Sequence, residues 1–230
     1  MSVMGGYLRE IFTSIQGEGI RIGRRQTFIR FLGCNLSCNY CDTPETQKMD
    51  GPFLHKKVVY SNPVAVEQVI ALIEEKEVSV TGGEPLLQIE FFEFLLQELK
   101  KKDICVYLDT NGTLPKLLAR VIDLIDCVAL DFKIPTATGR PKLWTEHEDC
   151  LSIAREKDVF VKMVINENVL PAEIDTACAI IKRVDENIPL IIQPVFDCII
   201  NSILEIQKKA LEQLPNVRII PQMHKYLGLI

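Results

Sequence analysis

Between residues 66 and 220, short apolar runs take turns with stretches of helical period, and this alternation constrains the fold more than any other feature of the chain. Strands are predicted over 27–32, 77–80, 104–108, 127–130, 159–165, 189–192 and 217–220. Helices are predicted over about 66–76, 85–102, 114–124, 146–157, 171–184 and 203–214. Asn62-Pro63 reads as a helix cap, and Thr145-x-x-Glu148 and Ser202-x-x-Glu205 read as capping boxes. Repeated βα units need a parallel sheet covered by helices, and right-handed crossovers then leave an open doubly wound sheet or a barrel, whole or partial. A closed eight-stranded barrel usually takes about 250 residues. The expected fold is therefore α/β: a partial, open (βα) barrel with mostly parallel strands.

Each predicted strand is followed by a polar or glycine-rich group: Gly33-Cys34, residues 81–85, 109–112, 131–133 and 166–168, Gln193-Pro194, and residues 222–225. In parallel α/β folds these ends share one rim, where active sites are built. The groups are expected to meet in space.

One of them carries unusual chemistry. Cys34, Cys38 and Cys41 stand in a C-x3-C-x2-C spacing, and the next cysteine is Cys105. Three thiolates on one loop point to a metal; the plainer alternative is three buried cysteines that bind nothing. A tetrahedral zinc needs a fourth ligand, which His55 or Asp42 could supply, whereas a 4Fe-4S cluster held by three cysteines keeps one iron open for chemistry. The other five cysteines, Cys105, Cys127, Cys150, Cys178 and Cys198, stand singly in apolar or helical surroundings and read as reduced core residues.

A chain of 230 residues with 47% apolar residues suits one domain with one core. The net charge of -5 is spread, apart from three lysines at 100–102, so no basic stripe suggests nucleic acid or a membrane surface. A small-molecule partner is expected. No secretory leader pattern and no membrane-length apolar run is seen, which implies a cytoplasmic protein.

The cysteine spacing resembles the signature of the radical S-adenosylmethionine (SAM) enzymes, whose open iron is chelated by the methionine part of SAM. Thr81-Gly82-Gly83-Glu84-Pro85 resembles the glycine-rich motif of the same enzymes. Two glycines let backbone carbonyls approach a ligand ammonium, and Glu84 adds negative charge nearby. The stretch from Ile11 to Gly19, with Phe28-Ile29-Arg30-Phe31, Cys41-Asp42-Thr43 and Gln222-x-His224-Lys225, is similar to the 7-carboxy-7-deazaguanine synthase family. That resemblance implies a radical SAM lyase that converts 6-carboxy-5,6,7,8-tetrahydropterin to 7-carboxy-7-deazaguanine with loss of ammonia, in the pathway to queuosine and archaeosine. A 4Fe-4S cluster, SAM and Mg2+ are the implied cofactors.

Carried over residue by residue, the resemblance places Cys34, Cys38 and Cys41 on the cluster and Thr43 on Mg2+. Ile15, Gln16, Gly17, Glu18, Arg30, Thr81 and His224 would meet the pterin, and Gly83, Asn111, Lys133 and Gln193 would line SAM. Arg30, between Phe28 and Leu32 on one strand face, needs an acidic partner, and its planar guanidinium suits the substrate carboxylate. Asp131-Phe132-Lys133 departs from the family's Ser-Pro-Lys while keeping the lysine. The implied partners are a flavodoxin or ferredoxin reductant and a second copy of the chain. Two other readings stay open: an activase of glycyl-radical enzymes, and an iron-sulfur electron carrier that cleaves no SAM.

Overall fold

The computed structural model describes residues 5–229. A short ribbon pairs β1 (Gly5–Gly6) with β6 (Val64–Ala65). The other strands are β2 (Leu8–Ile15), β3 (Arg25–Phe31), β4 (Phe53–His55), β5 (Val58–Tyr60), β7 (Glu77–Gly82), β8 (Cys105–Thr110), β9 (Cys127–Asp131), β10 (Asp158–Ile165), β11 (Leu190–Pro194) and β12 (Val217–Ile219). They form one ten-stranded sheet in the order β12-β11-β10-β9-β8-β7-β3-β2-β4-β5. From β3 through β12 every neighbouring pair is parallel, whereas β2 runs antiparallel to β3 and β5 antiparallel to β4. The sheet has two free edges, so the barrel is open.

The helices are α1 (Val66–Ala71), α2 (Ile89–Lys101), α3 (Pro115–Val121), the single turn α4 (Pro135–Thr138), α5 (Trp144–Ala154), α6 (Pro171–Asp185), α7 (Ile203–Leu211) and the single turn α8 (Met223–Tyr226). Among the described residues no helix is long and apolar enough to cross a membrane.

Alternation along each strand divides the sheet into two faces. Val78 and Val80, Val106 and Leu108, Val128 and Leu130, Val161 and Met163, and Leu190 and Ile192 join the main core under the helices. The opposite face is apolar at its base, where Tyr107, Cys127, Ala129, Phe160 and Ile191 form a second buried cluster. One step further along the same strands stand Asp109, Asp131, Lys162 and Gln193. The period of two thus carries each strand from an apolar plug into a polar cavity.

Several local expectations give way to tertiary structure. β2 has no clean alternation because a bulge between Leu8 and Glu10 turns both Leu8 and Ile11 inward, three positions apart. Asn62 caps no helix: its amide takes the N–H of Leu8 and donates to the Leu8 carbonyl, at 3.0 and 2.8 Å, and α1 starts only after β6. Neither expected capping box forms. Thr145 already lies within α5, Glu148 pairs with Arg183 of α6 at 2.7 Å, and the Ser202 side chain makes no capping bond.

Candidate active site

At the C-terminal ends of the parallel strands lies a cavity of about 390 Å3, a size that suits small-molecule ligands. Every residue that the family resemblance assigns to the cluster, Mg2+, the pterin or SAM borders it. Of the strand-end groups, only residues 166–168 stay outside: Glu167 and Asn168 are exposed, and Glu167 accepts from the Cys198 thiol at 3.0 Å.

The cysteine loop is anchored on both sides. Gly33 N–H donates to the Thr46 carbonyl at 2.8 Å and Cys34 N–H to the Gln47 carbonyl at 3.1 Å. Asn39 N–H reaches the Thr138 carbonyl of α4 at 3.1 Å, and Arg140 donates to the Ser37 carbonyl. Asn35 bonds both Asn111 and Thr113 at 2.8 Å. The loop brings Cys34, Cys38 and Cys41 to the cavity wall, each half-buried. Burial pushes the Cys34 and Cys38 thiols up, so a metal group is what would hold them as thiolates at neutral pH.

The donor set fits a cluster better than a single zinc ion. His55 lies on β4, where its Nδ1 meets the Ile11 carbonyl at 3.0 Å, and it does not border the cavity. Asp42 is taken by Lys225 at 2.9 Å. Among the described residues no three His, Cys, Asp or Glu side chains converge closely enough to share one ion. Thr43, at the start of a 3-10 turn, offers one hydroxyl at the wall; its own carbonyl is occupied by Thr46. One hydroxyl suits Mg2+, which keeps most of its shell as water and substrate oxygens.

Gly83 packs against the cysteine loop so tightly that a Cβ there would sit 2.1 Å from the Gly33 carbonyl oxygen. Glu84 plays a different part from the one expected. It lies wholly buried beneath the cavity wall, where its carboxylate accepts from Leu86 N–H, Asn111 N–H and the Thr110 hydroxyl at 2.8 to 3.1 Å. It ties the glycine turn to the end of β8. Burial pushes this carboxyl up to about 7, against the pull of those donors. Its folded value exceeds its unfolded value of 4.5, so its contribution to stability is complete below pH 4.5 and is lost as pH rises through 7. The melting temperature of the wild type, relative to Glu84→Gln, is expected to fall between pH 4.5 and 7 and to level off above. A difference that is flat across this window would remove Glu84 as the titrating group.

The rest of the wall is charged. Glu18 and Gln16 form a turn after β2 that is braced from within: Gln16 Oε1 accepts the Glu18 N–H at 3.1 Å and Gln16 Nε2 donates to Gln26 at 3.1 Å. The Gln16 side chain therefore shapes the turn. Gly17 carries no side chain because His224 lies against it, its Nδ1 2.3 Å from where a Cβ would stand. Met223 N–H donates to the Gly17 carbonyl at 2.9 Å, and Gln222 reaches Glu18 at 2.9 Å and Asp42 at 3.2 Å. Residues 222–225 thus strap the Glu18 turn to the cysteine loop. Burial would raise the Glu18 carboxyl, but Lys162 at 2.7 Å and Gln222 outweigh it and bring it down to about 2.

Lys162 was not among the sequence candidates. Its signal is a lone charge inside the apolar run 159–165, and its ammonium also meets Asp109 at 3.3 Å and Asp131 at 3.5 Å. Lys133 pairs with Asp131 at 2.8 Å and donates to Tyr40 at 3.1 Å, which ties the cysteine loop to β9. Buried His147 stacks on Phe132 at 4.7 Å and accepts the Lys133 N–H at 3.2 Å; burial brings it down to about 4, so it stays neutral. Thr81 donates to Asp109 at 3.3 Å. Arg30 finds its acidic partner within the chain, Glu10 on β2, through Nε at 2.8 Å. Asp131 Oδ1 and Gln193 Oε1 are buried with no protein partner among the described residues. Two such acceptors in one cavity fit a ligand rich in amino and hydroxyl donors, as SAM and a pterin are.

Residues 28–182 match the Radical SAM superfamily. The chain is 41% identical over 249 residues to a 7-carboxy-7-deazaguanine synthase of Geobacter sulfurreducens, covering 99% of each. It is 36% identical over 234 residues to one of Archaeoglobus fulgidus, covering 98% of this chain and 100% of that one. In fold it is similar to the crystal structure of QueE from Escherichia coli, with a TM-score of 0.67 at 20% identity over 96% of this chain and 95% of that one. With its cysteines, glycine turn and Glu18 turn on one cavity, the chain belongs to the radical SAM superfamily and, within it, to the 7-carboxy-7-deazaguanine synthase family.

Proposed function

We propose that this chain is a radical SAM lyase that converts 6-carboxy-5,6,7,8-tetrahydropterin to 7-carboxy-7-deazaguanine with loss of ammonia, in deazapurine synthesis. The observation that carries this reading is the meeting of two loops, the three-cysteine loop and the Gln16 to Glu18 turn, on the wall of one cavity. Cys34, Cys38 and Cys41 would hold a 4Fe-4S cluster, Gly83, Asn111, Lys133 and Gln193 would border SAM, and Thr43 would give one oxygen to Mg2+. When bound, the cluster and SAM supply the one-electron chemistry that starts the reaction.

The chain's own residues bind and orient. Glu18, kept ionised by Lys162, offers an acceptor to the amino-bearing edge of the pterin, and the Ile15 to Gly17 backbone borders the same ring. Glu10 occupies only the Nε side of Arg30, so its terminal nitrogens are left for the substrate carboxylate. His224, whose pKa burial lowers, is neutral at pH 7 and closes the cavity from the strap. In this reading residues 1–230 act as one domain, two copies pair, and a flavodoxin or ferredoxin delivers electrons in the cytoplasm.

Anaerobic reconstitution with iron and sulfide, then reduction and incubation with SAM and the carboxy-tetrahydropterin, tests the reading by mass spectrometry of the products. 7-Carboxy-7-deazaguanine is expected. Cleavage of SAM without it would move the activase reading forward, and a reducible cluster without SAM cleavage would favour the electron carrier.

A further inference from the structure

We propose that Lys162 is a positioning residue for pterin recognition: clamped among Glu18, Asp109 and Asp131, its ammonium fixes where the Glu18 carboxylate stands on the cavity wall. The inference rests on the pterin-binding role given to Glu18 above.

Topology makes such a clamp necessary. Glu18 follows β2, while Lys162 stands on β10, and β3, β7, β8 and β9 lie between them in the sheet. The barrel is open, so no backbone ladder joins those two sides. The Lys162–Glu18 contact of 2.7 Å spans them, and beside it Gly19, at φ +64, comes so close to the Phe160 ring that a Cβ would lie 2.2 Å from it. A lysine suits this place. Its flexible stem rises from the apolar base near Phe160, and its three ammonium donors meet three carboxylates from three different elements.

The charges also require it. Without the ammonium, Glu18 and Asp109 would face each other as partly buried like charges, and repulsion would swing Glu18, the member on a turn, away from its place. Gln222 would hold only the other carboxylate oxygen, through an uncharged amide donor. Glu18 is therefore aimed chiefly by Lys162.

The test is a double-mutant cycle on the reconstituted, SAM-loaded enzyme, reading kcat and KM for the carboxy-tetrahydropterin in wild type, Lys162→Met, Glu18→Gln and the double variant. Lys162→Met is expected to raise KM on the order of tenfold to a hundredfold, the size of one charge-assisted hydrogen bond, with kcat changed far less. In the Glu18→Gln background the same change is expected to add less than about threefold. Equal effects in both backgrounds, or a fall in kcat with KM unchanged, would overturn the inference while leaving the reaction standing. Wild type that makes no deazaguanine would overturn the reaction and this inference with it. If Lys162→Met yields no folded protein, Lys162→Gln, which still donates but carries no charge, is carried through the same cycle with the same expected and overturning results.

Discussion

Cys38→Ala is expected to yield a folded chain that takes up no 4Fe-4S cluster after anaerobic reconstitution and forms product at least about a thousandfold more slowly, since the whole rate enhancement depends on that group. The fold should survive because the loop around Cys38 is held by other bonds: Asn39 to Thr138, Arg140 to Ser37, Asn35 to Asn111 and Tyr40 to Lys133. Cys150→Ala should behave in the opposite way. Cys150 is fully buried in the main core, and losing its sulfur costs on the order of 1 kcal/mol of packing while iron content and activity stay at wild-type levels. Iron and sulfide per chain, the visible absorbance of the cluster and the melting temperature together read out the contrast. Full iron loading of Cys38→Ala would mean that this thiol is no ligand. Loss of iron in Cys150→Ala would mean that the buried cysteines are more than packing.

The gathering of the three closely spaced cysteines on one cavity wall was legible in the sequence because they share one loop, and Cys127, Cys150 and Cys178 are buried as their apolar neighbourhoods suggested. Cys105 and Cys198 are no core residues but half-buried, because the sulfur of Cys105 faces Arg21 and that of Cys198 faces Glu167. The parallel strands were legible for a related reason. Each carries an outer row buried under helices, as Val128 with Leu130 and Leu190 with Ile192 are, so the runs stay apolar for most of their length. Residues at the strand ends followed from the fold, because a parallel sheet gathers those ends whatever the sequence between them.

What stayed hidden depends on pairings that no local pattern records. The bulge in β2 broke the period that would have revealed the strand, and β4 and β5, three residues each, are too short to carry one. Glu84 sits beside two glycines in a motif that suggests a ligand, yet its donors come from the following turn and from the end of β8. Lys162 is a lone charge in an apolar strand, and two of its three carboxylate partners lie 53 and 144 positions away in the chain. Buried ion clusters of this kind become readable only once the strand order is known.

The largest change in substrate preference is expected at Arg30. Its guanidinium stands 5.5 Å over the Phe12 ring, which itself stacks on Phe28 at 5.1 Å, and Glu10 accepts from Nε as the cross-strand neighbour on β2. Ring and carboxylate together hold the fork rigid. Its terminal nitrogens have no protein partner among the described residues, and the side chain is only 15% exposed, so a carboxylate ligand would meet a group already oriented and largely stripped of water. Arg30→Lys keeps the charge but loses the fork, and it is expected to raise KM for the carboxy-tetrahydropterin on the order of tenfold to a hundredfold. Affinity for tetrahydropterin without the carboxylate should change by less than about threefold, so that the preference for the carboxylated compound collapses. Glu10→Gln separates this role from a purely structural ion pair: it keeps a neutral acceptor at Nε, and it should lower the melting temperature slightly while preserving most of the preference. If Arg30→Lys and Glu10→Gln alter stability alike and leave the preference intact, Arg30 serves the sheet and the substrate carboxylate is bound by another group.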